Sequence, residues 1–122
     1  MNKKTVIIGA SVNPSRYAYI AAEMLSSYGH EIVPIGLRNG ELFGKPVLPL
    51  KEKPSVSDVD TVTLYMNPVN QQPWLDYILS LKPKRIIFNP GTENTELEIR
   101  ARRAGIEVVH GCTLVMLRTN QY

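Results

Sequence analysis

Thr5-Val6-Ile7-Ile8-Gly9-Ala10-Ser11-Val12-Asn13-Pro14-Ser15-Arg16 opens with a short β-branched apolar run that stops at glycine. Such a run suits a strand, and the glycine permits a tight turn behind it. Asn13-Pro14 then reads as a helix N-cap followed by proline at the first helical position. Tyr17, Ile20, Ala21, Met24, Leu25 and Tyr28 recur at helical spacing, and Gly29 closes that helix. Strand, glycine turn and amphipathic helix together begin a βαβ unit.

The alternation continues along the chain. Glu31 to Ile35 is a second strand, and Pro34 inside it predicts that the strand is short or bent there. Residues 38 to 58 carry Gly40, Gly44, Pro46, Pro49 and Pro54 and read as a long irregular connection, a length that compact domains keep for a use. Thr61 to Tyr65 is a third strand, and a helix follows from about Val69 to Leu81 with Trp74, Ile78 and Leu81 on one face and Pro73 in its first turn. Arg85 to Phe88 is a fourth strand. Thr95 to Ala104 is a helix with Thr95 and Glu98 spaced as a capping box, and Glu96–Arg100 and Glu98–Arg102 as i,i+4 pairs. Gly105 ends it, Ile106 to Val109 is a fifth strand, and Cys112 to Leu117 a short closing helix. Strands alternating with helices predict a doubly wound, Rossmann-like α/β fold: a three-layer sandwich around a five-stranded, mostly parallel sheet.

Composition narrows the function. The 122 residues suit one domain spanning 1–122, with a formal net charge of only +3. No tract of Lys and Arg interleaved with aromatics argues for nucleic acid, and no segment approaches the roughly 18 apolar residues of a membrane span. The start mimics a signal peptide, but Asn13, Pro14 and Arg16 interrupt its apolar part. Cys112 is the one cysteine, so no intramolecular disulfide forms, which fits a reducing, cytoplasmic setting. Metal-binding, Walker A and nucleophile-elbow motifs are absent from the sequence.

In an open parallel sheet a ligand sits beyond the carboxyl ends of the strands. The first loop, Gly9 to Arg16, lacks the second and third glycines of a dinucleotide fingerprint. It still offers a tight turn, a helix start for a phosphate, and the polar side chains of Ser11 and Asn13. After the second strand, where NAD binders place an acid about 20 residues beyond the glycines, Arg38 stands instead. A cation there favours an extra phosphate, such as the 2′-phosphate of NADP or the phosphorylated adenosine of coenzyme A. Arg16 opposes the helix dipole unless an anion or Glu23 offsets it. Asn89-Pro90-Gly91-Thr92-Glu93-Asn94 forms a further turn that lets a ligand approach the backbone. His110 and Cys112 would share one side of an extended stretch, but no orienting third residue accompanies them.

Gly9-Ala10-Ser11 with Pro14, Gly44-Lys45-Pro46-Val47, Phe88 to Asn94, and Cys112 to Leu117 together resemble the small stand-alone CoA-binding proteins, relatives of the CoA-binding Rossmann domain of succinyl-CoA synthetase alpha subunits. The resemblance covers essentially the whole chain. It implies a parallel-sheet fold that binds CoA or an acyl-CoA, with Ser11, Val12 and Asn13 holding the phosphates. Arg38 then stands where the synthetase has a lysine, Asn67 and Pro68 flank the adenine or pantetheine, and Pro90 and Gly91 line the pantetheine path. The synthetase's phosphorylated histidine belongs to a further domain, so no ligase activity is implied and no catalytic residue is assigned. The expectation is a non-catalytic, nucleotide-binding CoA module whose cofactor-binding residues are Gly9, Ser11, Val12, Asn13, Arg16, Arg38, Asn67, Pro68, Pro90 and Gly91. An NADP-dependent reductase, a thiol sensor forming a mixed disulfide between Cys112 and CoA, and an interaction domain with an empty pocket are the rivals. An exposed Trp74 face would point to a homodimer.

Overall fold

The computed structural model describes residues 2–122. Three strands that begin where the sequence predicts them, β1 (Thr5–Ile8), β6 (Thr61–Leu64) and β7 (Arg85–Phe88), and β8 (Glu107–His110), shifted by one residue from the expected 106–109, join β2 (Ile32–Gly36) and β5 (Leu48–Pro49) in one sheet of order β5-β2-β1-β6-β7-β8. Every pairing in it is parallel. The sheet therefore has six strands rather than five. The extra one, β5, comes from the 38–58 connection, which is ordered: β3 (Glu41–Leu42) and β4 (Lys45–Pro46) form an antiparallel ribbon before it. Phe43 and Gly44 turn that ribbon with φ of 49° and 85°, the pair of left-handed residues a two-residue hairpin needs.

Pro34 does not shorten or break β2. Thr5 N–H bonds the Glu31 carbonyl and Gly9 N–H the Ile35 carbonyl, so odd-numbered residues face β1 and Pro34 faces the other side. There β5 reaches only Ile35 and Gly36, so the missing donor of Pro34 faces no partner strand.

Helices cover both faces. On one side α1 (Tyr17–Ser27) and α5 (Thr113–Arg118) pack Ala18, Ala22, Leu25 and Leu117 against Ile7 and Ile32. On the other, α3 (Leu75–Ser80) and α4 (Thr95–Arg103) pack Leu75, Ile78, Leu97 and Ala101 against Val6, Ile8, Val62, Leu64, Ile86 and Phe88. Strands β1, β6 and β7 are buried along their whole length and β2 nearly so, which is why they read as short, largely apolar runs, whereas the edge strand β8 is exposed or half-buried throughout. Gly29 and Gly105 end α1 and α4 as expected: His30 N–H bonds Leu25 O and Ile106 N–H bonds Ala101 O.

Four local expectations are corrected. Helix α1 starts at Tyr17, not Pro14, because the Asn13 side chain accepts from the Ser15 amide and hydroxyl and so closes a turn instead of capping a helix. The predicted 69–81 helix is broken into α2 (Pro68–Gln71), a 3-10 turn at Gln72–Trp74, and α3, since Pro73 lacks an amide and its ring crowds the preceding turn. Trp74 packs on the core, so its face gives no indication of a dimer. Asn94, not Thr95, caps α4, accepting from Leu97 N–H at 3.1 Å. Glu98 bonds Arg102 and His110 instead.

Candidate functional site at the strand carboxyl ends

The chain runs outward from β1 to β2 and β5, then returns beside β1 to lay down β6, β7 and β8. Strand order therefore reverses between β1 and β6, and the loops leaving those two strands flank a crevice. Backbone contacts lock them together. Gly9 and Ala10 amides both bond Ile35 O at 3.0 Å, and Tyr65 N–H bonds Ile8 O at 2.9 Å. Gly9 has φ +92°, and a Cβ there would lie 2.8 Å from Met66 Cγ and 3.0 Å from the Tyr65 carbonyl carbon. A Cβ on Gly36 would lie 2.6 Å from the Ala10 carbonyl oxygen. Both glycines are required by the close approach of neighbouring backbones.

The first loop bonds itself. Ser11 Oγ accepts from Asn13 N–H at 3.1 Å, and Asn13 Oδ1 accepts from the Ser15 amide at 3.0 Å and the Ser15 hydroxyl at 2.8 Å. Those oxygens are occupied, which leaves the Ser11 hydroxyl hydrogen and the Asn13 amide hydrogens to donate outward. The backbone amides of Ser11, Val12, Tyr17 and Ala18 have no hydrogen-bond partner among the described residues. Arg16 sits at the helix N-cap position, exposed, and forms no ion pair among the described residues, with Glu23 or any other acid. Arg38 is likewise exposed and unpaired in the loop after β2. Val12 is held in place by the 38–40 segment: a Cβ on Gly40 would lie 2.4 Å from its Cγ1. Two cations, four open amides and two side-chain donors are thus grouped around the first two loops.

The other side of the crevice is cross-tied by side-chain hydrogen bonds. Asn67 Oδ1 caps α2 by accepting from Asn70 N–H at 2.8 Å, and Pro68 occupies the first helical position. Buried Gln71 donates to Met66 O at 2.7 Å and Thr92 O at 2.8 Å, and accepts from Asn94 Nδ2 at 3.1 Å. Asn89 donates to Thr63 Oγ1 at 2.7 Å and Leu64 O at 2.8 Å, and accepts from Thr113 N–H at 2.8 Å. These two amides bind the 66–71 and 89–94 loops and the start of α5 into one unit. Pro90 and Gly91 lie exposed above it, and a Cβ on Gly91 would meet nothing within 4 Å.

His110 and Cys112 do not form a pair. Strand β8 ends at His110, whose Nε2 lies 2.8 Å from Glu98 Oε1 and whose ring stacks on Phe88 at 5.4 Å. Hydrogen bonds from His110 and Arg102 pull the Glu98 carboxyl below its usual range. Half-buried Cys112 precedes α5 and makes no capping bond. Tyr65, between the Gly9 loop and the core, is held neutral because burial pushes its phenol upward. His30 accepts from Lys3 N–H at 2.9 Å at the opposite end of the sheet.

Nine of the ten expected site residues fall on loops at the carboxyl ends of the strands, and Pro68 is the first residue of the helix that follows the β6 loop. Sequence reasoning missed the residues that fix those loops: Gly36, Gln71 and the Asn89 side chain. Asn94, directly before Thr95-Glu96-Leu97, carried a readable capping signal; Gln71 carried none, because its partners lie far away in sequence.

Comparisons place this arrangement among known folds. A crystal structure of an uncharacterized protein is 56% identical, with a TM-score of 0.96 over 100% of this chain and 99% of that one. A Thermus thermophilus structure at 24% identity has a TM-score of 0.83 over 98% of this chain and 90% of that one. The dinucleotide-forming acetyl-coenzyme A synthetase 1 of Ca. Korarchaeum cryptofilum, solved with phosphate and ADP, is 25% identical; the match covers 89% of this chain and 25% of that one, with a TM-score of 0.68. No curated protein matches. The family described as CoA binding domain matches residues 3–118, and the chain belongs to that CoA-binding family.

Proposed function

We propose that this chain binds coenzyme A, free or acylated, across the β1–β6 crevice and acts as a binding module without catalysing a reaction of its own. The phosphates lie against the open amides of Ser11 and Val12, the side-chain donors of Ser11 and Asn13, and the open amides of Tyr17 and Ala18 at the start of α1, beside Arg16. Arg38, at the carboxyl end of β2, takes the phosphate on the adenosine ribose, and Gly9 lets the two loops close on the ligand. Asn67 and Pro68 flank the uncharged part, with Pro90 and Gly91 along the pantetheine. Exposed Val12 (44%), Leu37 (58%) and Val69 (80%) supply the apolar contacts such a ligand needs.

The observation that carries this reading is Arg38. It is a cation with no ion pair among the described residues, at the strand position where an adenosine ribose would lie. Arg38→Glu is expected to weaken CoA binding by about tenfold or more, measured by calorimetric titration, with the thermal transition unchanged because the residue is exposed. Unchanged affinity removes Arg38 from the site. An NADP titration of the unaltered protein separates the reductase reading, which shares the phosphate argument but needs NADP to bind at least as tightly as CoA.

A further inference from the structure

The opposite end of the sheet carries a groove that the CoA site does not use. Segment 53–59, which leads into β6, runs beside α3 and the turn that follows it. Between them lie two basins, of about 520 Å³ and 360 Å³, that share Val56, Ser80 and Leu81. Their walls add Lys53, Lys82 and Lys84, all exposed, with Tyr77 and Val59 below. The acids present are Asp58 and Asp76, and Asp76 is already paired with Arg100. Lys53, Lys82 and Lys84 form no ion pair among the described residues.

Two further observations distinguish this groove from an ordinary surface depression. Lys53, Asp58 and Lys82 line it with φ of 47°, 57° and 49°, three of the five non-glycine residues in left-handed conformations among the described residues. Such backbone costs free energy and persists where the surroundings hold it. In addition, the amides of Ser55, Val56, Ser57, Asp58 and Val59 have no hydrogen-bond partner among the described residues. Tyr77 OH on Pro54 O at 2.6 Å and Lys4 Nζ on Ser57 O at 2.8 Å hold the segment in place by its carbonyls. A pinned, unpaired stretch of backbone offers a template on which another strand can form.

We infer that this groove receives an acidic, extended segment of a partner protein, which adds as a strand along Ser55–Ser57, ahead of the left-handed turn at Asp58. Alternate side chains of an extended peptide point to opposite sides. One set would rest on Val56 and Leu81, and the other would carry carboxylates toward Lys53, Lys82 and Lys84. The groove lies away from the carboxyl-end loops, so the module can hold CoA and the partner together.

Fluorescence anisotropy with a fluorescein-labelled octapeptide of alternating Glu and Val tests this on the full chain. Micromolar binding is expected, weakened by about tenfold or more in K82E/K84E, for an alternating Lys and Val peptide, and for the Glu peptide N-methylated at every second residue. Saturating CoA should not displace the probe. No anisotropy change, equal binding by K82E/K84E, or insensitivity to N-methylation overturns the proposal. Displacement by equimolar inorganic phosphate does so too, and assigns the groove to small anions. If K82E/K84E loses its thermal transition, the N-methylated peptide against the unaltered protein decides.

Discussion

Asn89→Ala is expected to lower stability by about 3 kcal/mol or more and the thermal midpoint by roughly 10 °C. The Asn89 side chain makes three hydrogen bonds, to Thr63 Oγ1, Leu64 O and Thr113 N–H, and is 3% exposed. Truncation leaves the carbonyl of β6 and the first amide of α5 buried without these partners, and such groups cost more unpaired than the bonds contribute when made. Asn89→Asp separates hydrogen bonding from packing. The acid keeps the acceptor for Thr113 but, when ionised, turns a carboxylate toward Leu64 O. Its folded pKa should therefore rise above the ordinary carboxylate value. The protonated form then folds more readily, and the deficit against the unaltered protein should be small near pH 4 and grow toward pH 7. Thermal melts at the two pH values check this; a pH-independent deficit would mean that the donor does not matter.

Gly9→Ala should cost about 2–3 kcal/mol and weaken CoA binding by about tenfold or more. Part of that is backbone: φ +92° is unfavourable for any residue with a Cβ. The remainder is steric, since the new carbon would lie 2.8 Å from Met66 Cγ and 3.0 Å from the Tyr65 backbone, forcing the first loop away from β6. Gly29→Ala supplies the control. Its φ is +87° and its Cβ would meet nothing within 4 Å, so it should lose only the backbone part, about 1 kcal/mol, and leave CoA binding unchanged. Equal losses at the two positions, in melts and in titrations, would show that the loop contact is unimportant.

These two residues also show what the sequence can and cannot reveal. Gly9 was legible because a β-branched run ending in glycine before a helical period is a local pattern. Most strands were legible for the same reason: they are buried on both faces and read as short apolar runs. Strand β5 was not, since Leu48-Pro49 has no period and becomes a strand only by meeting Ile35 and Gly36. The 69–81 helix was misread because apolar spacing at Trp74, Ile78 and Leu81 survives a break at Pro73; the 3-10 turn keeps Trp74 against the core. Asn13-Pro14 fits a helix cap and a side-chain turn equally well in sequence, and the Ser15 hydroxyl favours the turn. Within the site, the exposed residues could be named from loop position, whereas Asn89 acts through partners more than 20 positions away, and Gln71 joins Met66, five positions away, to Thr92 and Asn94, more than 20 away.

In the proposed complex Arg38 and the first loop recognise a phosphorylated adenosine. Calorimetric titration of the unaltered protein with CoA and with dephospho-CoA tests that most directly. Micromolar CoA binding that weakens by about tenfold or more, roughly 1.4 kcal/mol, when the 3′-phosphate is absent is the predicted result. Equal affinity for the two ligands, or no heat and no thermal shift with either, would contradict it.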